Sequence, residues 1–432
     1  MRRLLLSNAA VRLLTTPIAA LAGLVSSWLA VGHLGTGTYA AVLLITGLAQ
    51  LLPFADFGVG AAVISTLSSK DAEDVRFRTL VSAQRVLVAA GSTMVVGAGL
   101  LSTPGLWPAL LGEGSAPVGD ANLSSFAFFI AFAVFVFVQL GYRMLTGLGL
   151  NHLTSLLAGA GSVLSVGLIG LGVLLGMDPI WFVLAPTSAS ITTAALAGLI
   201  AGKRSGIPYG QLLRAIPSVQ SVPQLSLART AVPMLVILVA LPALLFSHRL
   251  ILSHVSSSAA LAEYTLASQV YAPAWAAVSG TLMALWPHFA AARDSDVRRS
   301  LRSLRTGVVA IAALGVLGAA ALTAVTPLAT RIIGHGESVA SWWVAGGFGA
   351  LLLAQTAFYP LGMYLTRPRE LVFQAICVAL MLAVGLPTSI FAAAAVGPAG
   401  PLWVSAGAIL LFQAVPAIGY VSMLTSRARN EG

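Results

Sequence analysis

The chain has 432 residues, 58% of them hydrophobic and only 8% charged, with a formal net charge of +10. A water-soluble domain carries about a quarter charged residues, so this composition excludes one and points to an integral membrane protein. One cysteine, Cys377, lies inside an apolar run, so no disulfide framework exists.

The opening, "MRRLLLSNAAVRLL", has a basic start like that of a signal peptide. Arg12 interrupts the apolar region, which then runs on far enough to form an uncleaved first span. A helix needs about 20 apolar residues to cross a ~30 Å hydrocarbon core. About twelve transmembrane helices are expected on that basis, near 11–32, 38–68, 83–111, 122–146, 150–176, 179–202, 227–248, 256–290, 307–330, 338–365, 371–395 and 400–424.

The second predicted span carries "LLPFADFGVG". Asp56 lies about twelve residues, or roughly 18 Å, before the cytosolic end of that span. Pro53 removes a helix hydrogen bond, and Gly58 and Gly60 loosen the backbone. Two readings stand. Asp56 lines a cavity, binding a coupling cation or holding a substrate-binding arginine; or it packs helices, bonded to a neighbouring hydroxyl or to backbone that Pro53 frees. Gly172 and Gly176 on the fifth span form a small-xxx-small face for close helix packing. "GLIAGKRS" at 198–205 lacks the spacing of a phosphate loop, so no nucleotide site is expected.

Residues 203–226 are the longest polar stretch and hold Pro208, Pro217 and Pro223. They are expected to be a cytosolic linker between two six-helix bundles, 1–202 and 227–432. The halves echo each other: Arg12 precedes Pro17 as Arg229 precedes Pro233, and Tyr39 opens the second span as Tyr264 opens the eighth. Such parallel repeats suit a transporter. At the outer end of the seventh span, His248, Arg249 and His254 are expected to anchor the interface rather than bind metal. Glu263, near the outer end of the eighth span, is expected to reach water. Trp342 and Trp343 are expected in an aromatic belt.

With the N-terminus in the cytosol, alternating spans put 21 of the 23 Lys and Arg on the cytosolic side; only Arg249 and Arg331 fall outside. One helix more or fewer would scramble that separation, so both termini are expected to be cytosolic. The positive charge therefore serves orientation and anionic lipid, and nucleic acid is not a partner. Arg12, Arg143 and Arg229 lie at the cytosolic ends of the first, fourth and seventh spans. Guanidinium groups there either capture an anionic head group or snorkel to lipid phosphate.

The stretch from "LLSNAAVRLL" through "LGTGTYA" to "DFGVGAA" resembles the opening of O-antigen-type polysaccharide flippases. That superfamily also holds multidrug and toxin extrusion transporters and lipid II flippases. "GYRMLTGLGLNH", with Arg143 and Gly147, and "LAEYTLASQVYAPAWAAVSGTLMALWPHFA" are similar to the family's fourth-to-fifth turn and eighth span. The resemblance implies an all-α membrane fold of two six-helix bundles around a cavity. Its function would be to flip a polyprenyl-diphosphate-linked oligosaccharide across the bacterial plasma (inner) membrane. It implies Arg12, Arg143 and Arg229 as substrate-binding residues that hold the diphosphate, and Asp56 as the second-span acid. It implies H+ or Na+ as a coupling ion, and glycan polymerase and glycosyltransferases as partners. No catalytic residue, metal or cofactor is implied. The sequence departs from the family at Gly37 and Thr38, where an acid is usual.

Two rival functions remain. One is a cation-coupled multidrug exporter of the same fold, which would want more membrane acids than Asp56 and Glu263. The other is a membrane enzyme, a glycan polymerase or glycosyltransferase, which would want a sizeable external loop. The orientation has a direct test, because Cys377→Ala gives a cysteine-free chain. In that background Ser205→Cys should react with an impermeant maleimide only from the cytosolic side, and Ala116→Cys only from outside; the reverse pattern would invert the topology.

Overall fold

The computed structural model describes residues 2–51, 59–68, 72–217, 232–283, 297–365 and 367–430. Every regular element among them is helical. In hydrocarbon the backbone must satisfy its own hydrogen bonds, and a helix does so within a single segment. Eight described stretches are long and apolar enough to cross a membrane. Leu14–Gln50 holds most of the first predicted span and the start of the second, and Arg369–Ser426 holds the last two. The chain is a multi-pass membrane protein, and the described residues of each of the twelve predicted segments are largely helical.

The chain divides into two compact units, Met1–Leu235 and Val236–Gly432. The first begins with helix α1, Arg2–Gly47, which is broken at Gly35 by φ 78° and ψ 164°. Tyr39 donates a hydrogen bond to Ser27 Oγ at 2.8 Å. Residues that far apart on a straight helix would be separated by about 18 Å. The chain therefore reverses at Gly35, and α1 is a hairpin of two spans turned on one left-handed residue. Glycine alone adopts that conformation at little cost. The second arm resumes as α2, Val59–Ser68.

Helices α3 (Glu73–Ser102), α4 (Trp107–Leu111), α5 (Ala121–Val138), α6 (Leu140–Gly147), α7 (Asn151–Leu174) and α8 (Pro179–Ser205) complete this unit. Asp120 starts α5 by accepting from Leu123 N at 2.9 Å, satisfying one of the amides that a helix start leaves open. The α7–α8 turn corrects the expected small-residue face. A Cβ on Gly172 would fall 2.3 Å from Trp181 Cδ1, so this glycine does mark a close approach. Gly176 instead has φ 62° with open space around it. It sits just past the C-terminal end of α7, in the turn, and forms no packing face.

Within the polar stretch after α8, Tyr209–Ala215 form a short helix, α9, that packs on α3. Arg85 donates to the carbonyls of Ile216 (2.8 Å) and Ala215 (3.0 Å), which the end of α9 leaves open. Tyr209 donates to Gln84 Oε1 at 3.0 Å, and burial pushes its phenol pKa up, so it remains a donor. Residues 218–231 lie outside the described residues.

The second unit comprises α10 (Val232–Val255), α11 (Ser258–Met283), α12 (Val297–Ile333), α13 (Trp342–Tyr364), α14 (Pro368–Val396), α15 (Gly400–Ile409) and α16 (Val415–Asn430). A π-helical turn at Leu410–Ala414 joins the last two. Helices α14 and α15 form a second tight hairpin, turned at Gly397 with φ 70°. Trp342 and Trp343 are 66% and 73% exposed at the start of α13, as belt residues would be.

The tightest described crossing is that of α6 on α8. A Cβ on Gly141 would fall 2.2 Å from the backbone N of Gly198. Gly141→Ala should therefore force the helices apart and cost about 1–3 kcal/mol. Gly37 has open space around it, and Gly37→Ala should change stability by less than about 0.5 kcal/mol. Thermal unfolding in detergent, run on both variants, checks the difference.

Candidate functional site

Of the four residues the sequence singled out, Asp56 and Arg229 lie outside the described residues, as does the side chain of Arg12. Arg12 itself sits in the first arm of α1. Arg143 is described, half-buried on α6. Its helix is held on two sides. Gly141 lies against Gly198 of α8, and a Cβ on Gly147 would fall 2.8 Å from Leu67 Cβ of α2. Tyr142 OH donates to Thr193 Oγ1 of α8 at 2.9 Å. The arginine thus stands on a short, locked segment, so its guanidinium is presented from a fixed base.

The second unit carries polar groups in its interior. His248 is fully buried. Its Nδ1 lies 3.0 Å from Tyr264 OH, and its Nε2 lies 2.8 Å from Ser405 Oγ. The expected interfacial anchor is therefore a core residue that ties α10 to α11 and α15. The sequence places His248 beside Arg249 and His254, which suggested a basic patch; helical geometry turns neighbouring residues to different faces. Arg249 donates to Ser268 Oγ of α11 at 2.7 Å. Glu263 is half-buried and accepts from Ser341 N at 2.7 Å, beside the positive end of α13. No grouping of three or more His, Cys, Asp or Glu suited to a metal occurs among the described residues.

From this core an aromatic ladder leads inward. The Tyr264 ring lies 5.3 Å from Phe348, and Phe348 lies 5.1 Å from Tyr271. Tyr271 OH donates to Gln355 Oε1. Gln355 borders a half-open cavity of about 380 Å³ lined by α10, α11, α13, α14 and the α15–α16 segment. That volume lies in the range of small-molecule sites. Trp275, Tyr359, Gln374, Cys377 and Gln413 also line it, and among the described residues no carboxylate does. Gln413 belongs to the π-helical turn, a distortion frequent at functional sites. Pro242 lines the cavity from within α10, and Pro360 lies within α13 next to the lining residue Tyr359.

The sequence reading passed over this site. Its signal is three lone amides in apolar runs, "LLAQTAF", "VFQAICV" and "LLFQAVP". A polar side chain within a membrane span is costly, and each one asks for a reason.

No family model and no curated protein matches the sequence. Solved structures do. An inward-facing multidrug resistance MATE family transporter of the MOP superfamily superposes with a TM-score of 0.67 at 15% identity, covering 98% of this chain and 99% of that one. The inward closed conformation of the lipid II flippase MurJ superposes at 0.65 and 14% identity, covering 96% and 87%. A MATE structure in its bent conformation superposes at 0.62 and 14% identity, covering 100% and 96%. The chain has the MATE and MurJ fold. The likeness spans nearly the whole chain, so both units belong to it.

The buried histidine yields a stability prediction. His248→Phe keeps the ring but leaves Tyr264 OH and Ser405 Oγ without that partner. It should lower stability by about 2 kcal/mol, read as a drop in detergent melting temperature. His248→Asn, which keeps a hydrogen-bonding group, should recover part of the loss.

Proposed function

We propose that this protein is a flippase that translocates a polyprenyl-diphosphate-linked oligosaccharide across the bacterial plasma membrane for cell-surface polysaccharide synthesis. The observation that carries the reading is the C-terminal cavity. Within a MATE and MurJ fold, its lining among the described residues is amide, aromatic and apolar, without a carboxylate. A cationic drug asks for a counter-charge, and a neutral saccharide asks for hydrogen bonds and flat apolar faces. Glu263, one of the two acids a drug exporter of this fold could have used, is engaged at the start of α13. The MurJ likeness supports the reading by fold alone, since that protein is a lipid II flippase.

In this account Arg12, Arg143 and Arg229 hold the diphosphate. A guanidinium presents two parallel donors to phosphate oxygens and stays charged when partly buried. Asp56 either binds H+ or Na+ or orients an arginine. Both termini and the 203–226 segment face the cytosol, where glycosyltransferases deliver the lipid-linked glycan. A glycan polymerase consumes it on the far side. No bond is made or broken in the transported molecule. An ion gradient suffices as a drive, since one charge crossing 100 mV is worth about 2.3 kcal/mol.

The test is glycan export in cells with protein level measured alongside. Arg12→Lys and Arg229→Lys keep the charge and lose the bidentate fork, so each should reduce export severalfold at normal protein level. Full export by both would return these arginines to lipid anchoring. Asp56→Asn should abolish export at normal protein level; normal export would remove Asp56 from the mechanism.

A further inference from the structure

The polar atoms around the C-terminal cavity are only partly used. Gln355, Gln374 and Gln413 are 4%, 9% and 5% exposed. Each spends one end of its amide inside the bundle. Gln355 Oε1 accepts from Tyr271. Gln374 Nε2 donates to the carbonyls of Leu365 and Gly362, which close the end of α13. Gln413 Nε2 contacts Met381 Sδ. The other end of each amide has no hydrogen-bond partner among the described residues. The same holds for Tyr359 OH and Trp275 Nε1, whose rings meet edge to face at 5.7 Å.

Five such polar atoms lie on residues lining one cavity, without a protein partner and none of them sealed from solvent. Water or a polar ligand can satisfy them. Among the described residues the lining contains no acid, arginine or lysine, so an uncharged occupant suits it. The open amide ends supply both a donor, on Gln355, and acceptors, on Gln374 and Gln413. A hydroxyl group matches both. The Trp275 and Tyr359 rings offer flat apolar faces beside them, matching the C–H face of a pyranose ring.

We infer that this cavity is a binding site for a neutral glycosyl unit, holding one sugar ring of the transported glycan within the C-terminal bundle. The inference rests on the flippase reading and adds to it a saccharide subsite separate from the three arginines. Gln374 and Gln413 accept from sugar hydroxyls, Gln355 donates to one, and Trp275 and Tyr359 pack on the ring. Tyr271 holds Gln355 in the rotamer that turns its amide nitrogen away from the tyrosine.

The test uses the full chain in lipid nanodiscs and two separate probes. The first is a panel of neutral monosaccharides (N-acetylglucosamine, glucose, galactose, mannose and rhamnose), read by saturation-transfer NMR up to roughly 50 mM, where a Kd of order 10 mM registers. The second is undecaprenyl phosphate, read by native mass spectrometry. At least one sugar should bind. Gln413→Leu should weaken it about fivefold to tenfold, the worth of one hydrogen bond. Tyr359→Phe, which keeps the ring, should weaken it less and independently. Neither variant should alter undecaprenyl phosphate binding. If no sugar binds, or Gln413→Leu and Tyr359→Phe both bind like the parent, the cavity holds water only and the inference fails. If the variants lose undecaprenyl phosphate instead, the occupant is a lipid chain and the inference also fails. Failure of undecaprenyl phosphate to bind the parent chain, with sugar binding intact, would sink the flippase reading and leave the sugar site standing.

Discussion

Hydrocarbon offers a polar group no hydrogen bond, and the structure is organised by the need to supply each one from within. The backbone meets that need by being helical throughout the described residues. At three helix ends a side chain is the partner: Asp120 for the first amides of α5, Glu263 for the chain entering α13, Arg85 for the carbonyls at the end of α9. Several polar side chains inside the spans are joined across helices, as Tyr39 is to Ser27, Tyr142 to Thr193 and His248 to both Tyr264 and Ser405. Each such bond also fixes which helices are neighbours.

In both units glycines let helices close on one another: Gly141 on Gly198 and Gly147 on α2 in the first, Gly347 on α15 and Gly349 on α12 in the second. In the first unit these approaches seat Arg143. In the second the helices also line a cavity, and the amides around it keep one end unspent. Their retention marks a place where the chain has kept hydrogen-bonding capacity rather than maximal packing. A charged drug and a neutral glycan would ask opposite things of such a place.

The spans were legible because membrane thickness fixes helix length, and because moving one span would scatter the basic residues of the loops. The reversal at Gly35 was legible only as a turn near "LGTGTYA"; that a single glycine accomplishes it depends on backbone angles a sequence does not display. Gly172 and Gly176 share a spacing, yet one meets Trp181 and the other ends a helix. The difference lies in where α7 stops. His248 was misread because its partners, Tyr264 and Ser405, stand on other helices. The cavity was illegible for the same reason, since its three glutamines come from α13, α14 and the π-helical turn.

The central claim is that the transported molecule is a lipid-linked saccharide. It is tested most directly by reconstituting the purified chain into proteoliposomes that carry a fluorescently labelled polyprenyl-diphosphate-linked oligosaccharide. The fraction of label open to an impermeant quencher is then followed over time. The account predicts that label initially confined to one leaflet equilibrates across the bilayer only when the protein is present, and more slowly with Arg12→Lys. Label that stays in its leaflet, in vesicles where the same protein moves a cationic dye down a proton or sodium gradient, would contradict it.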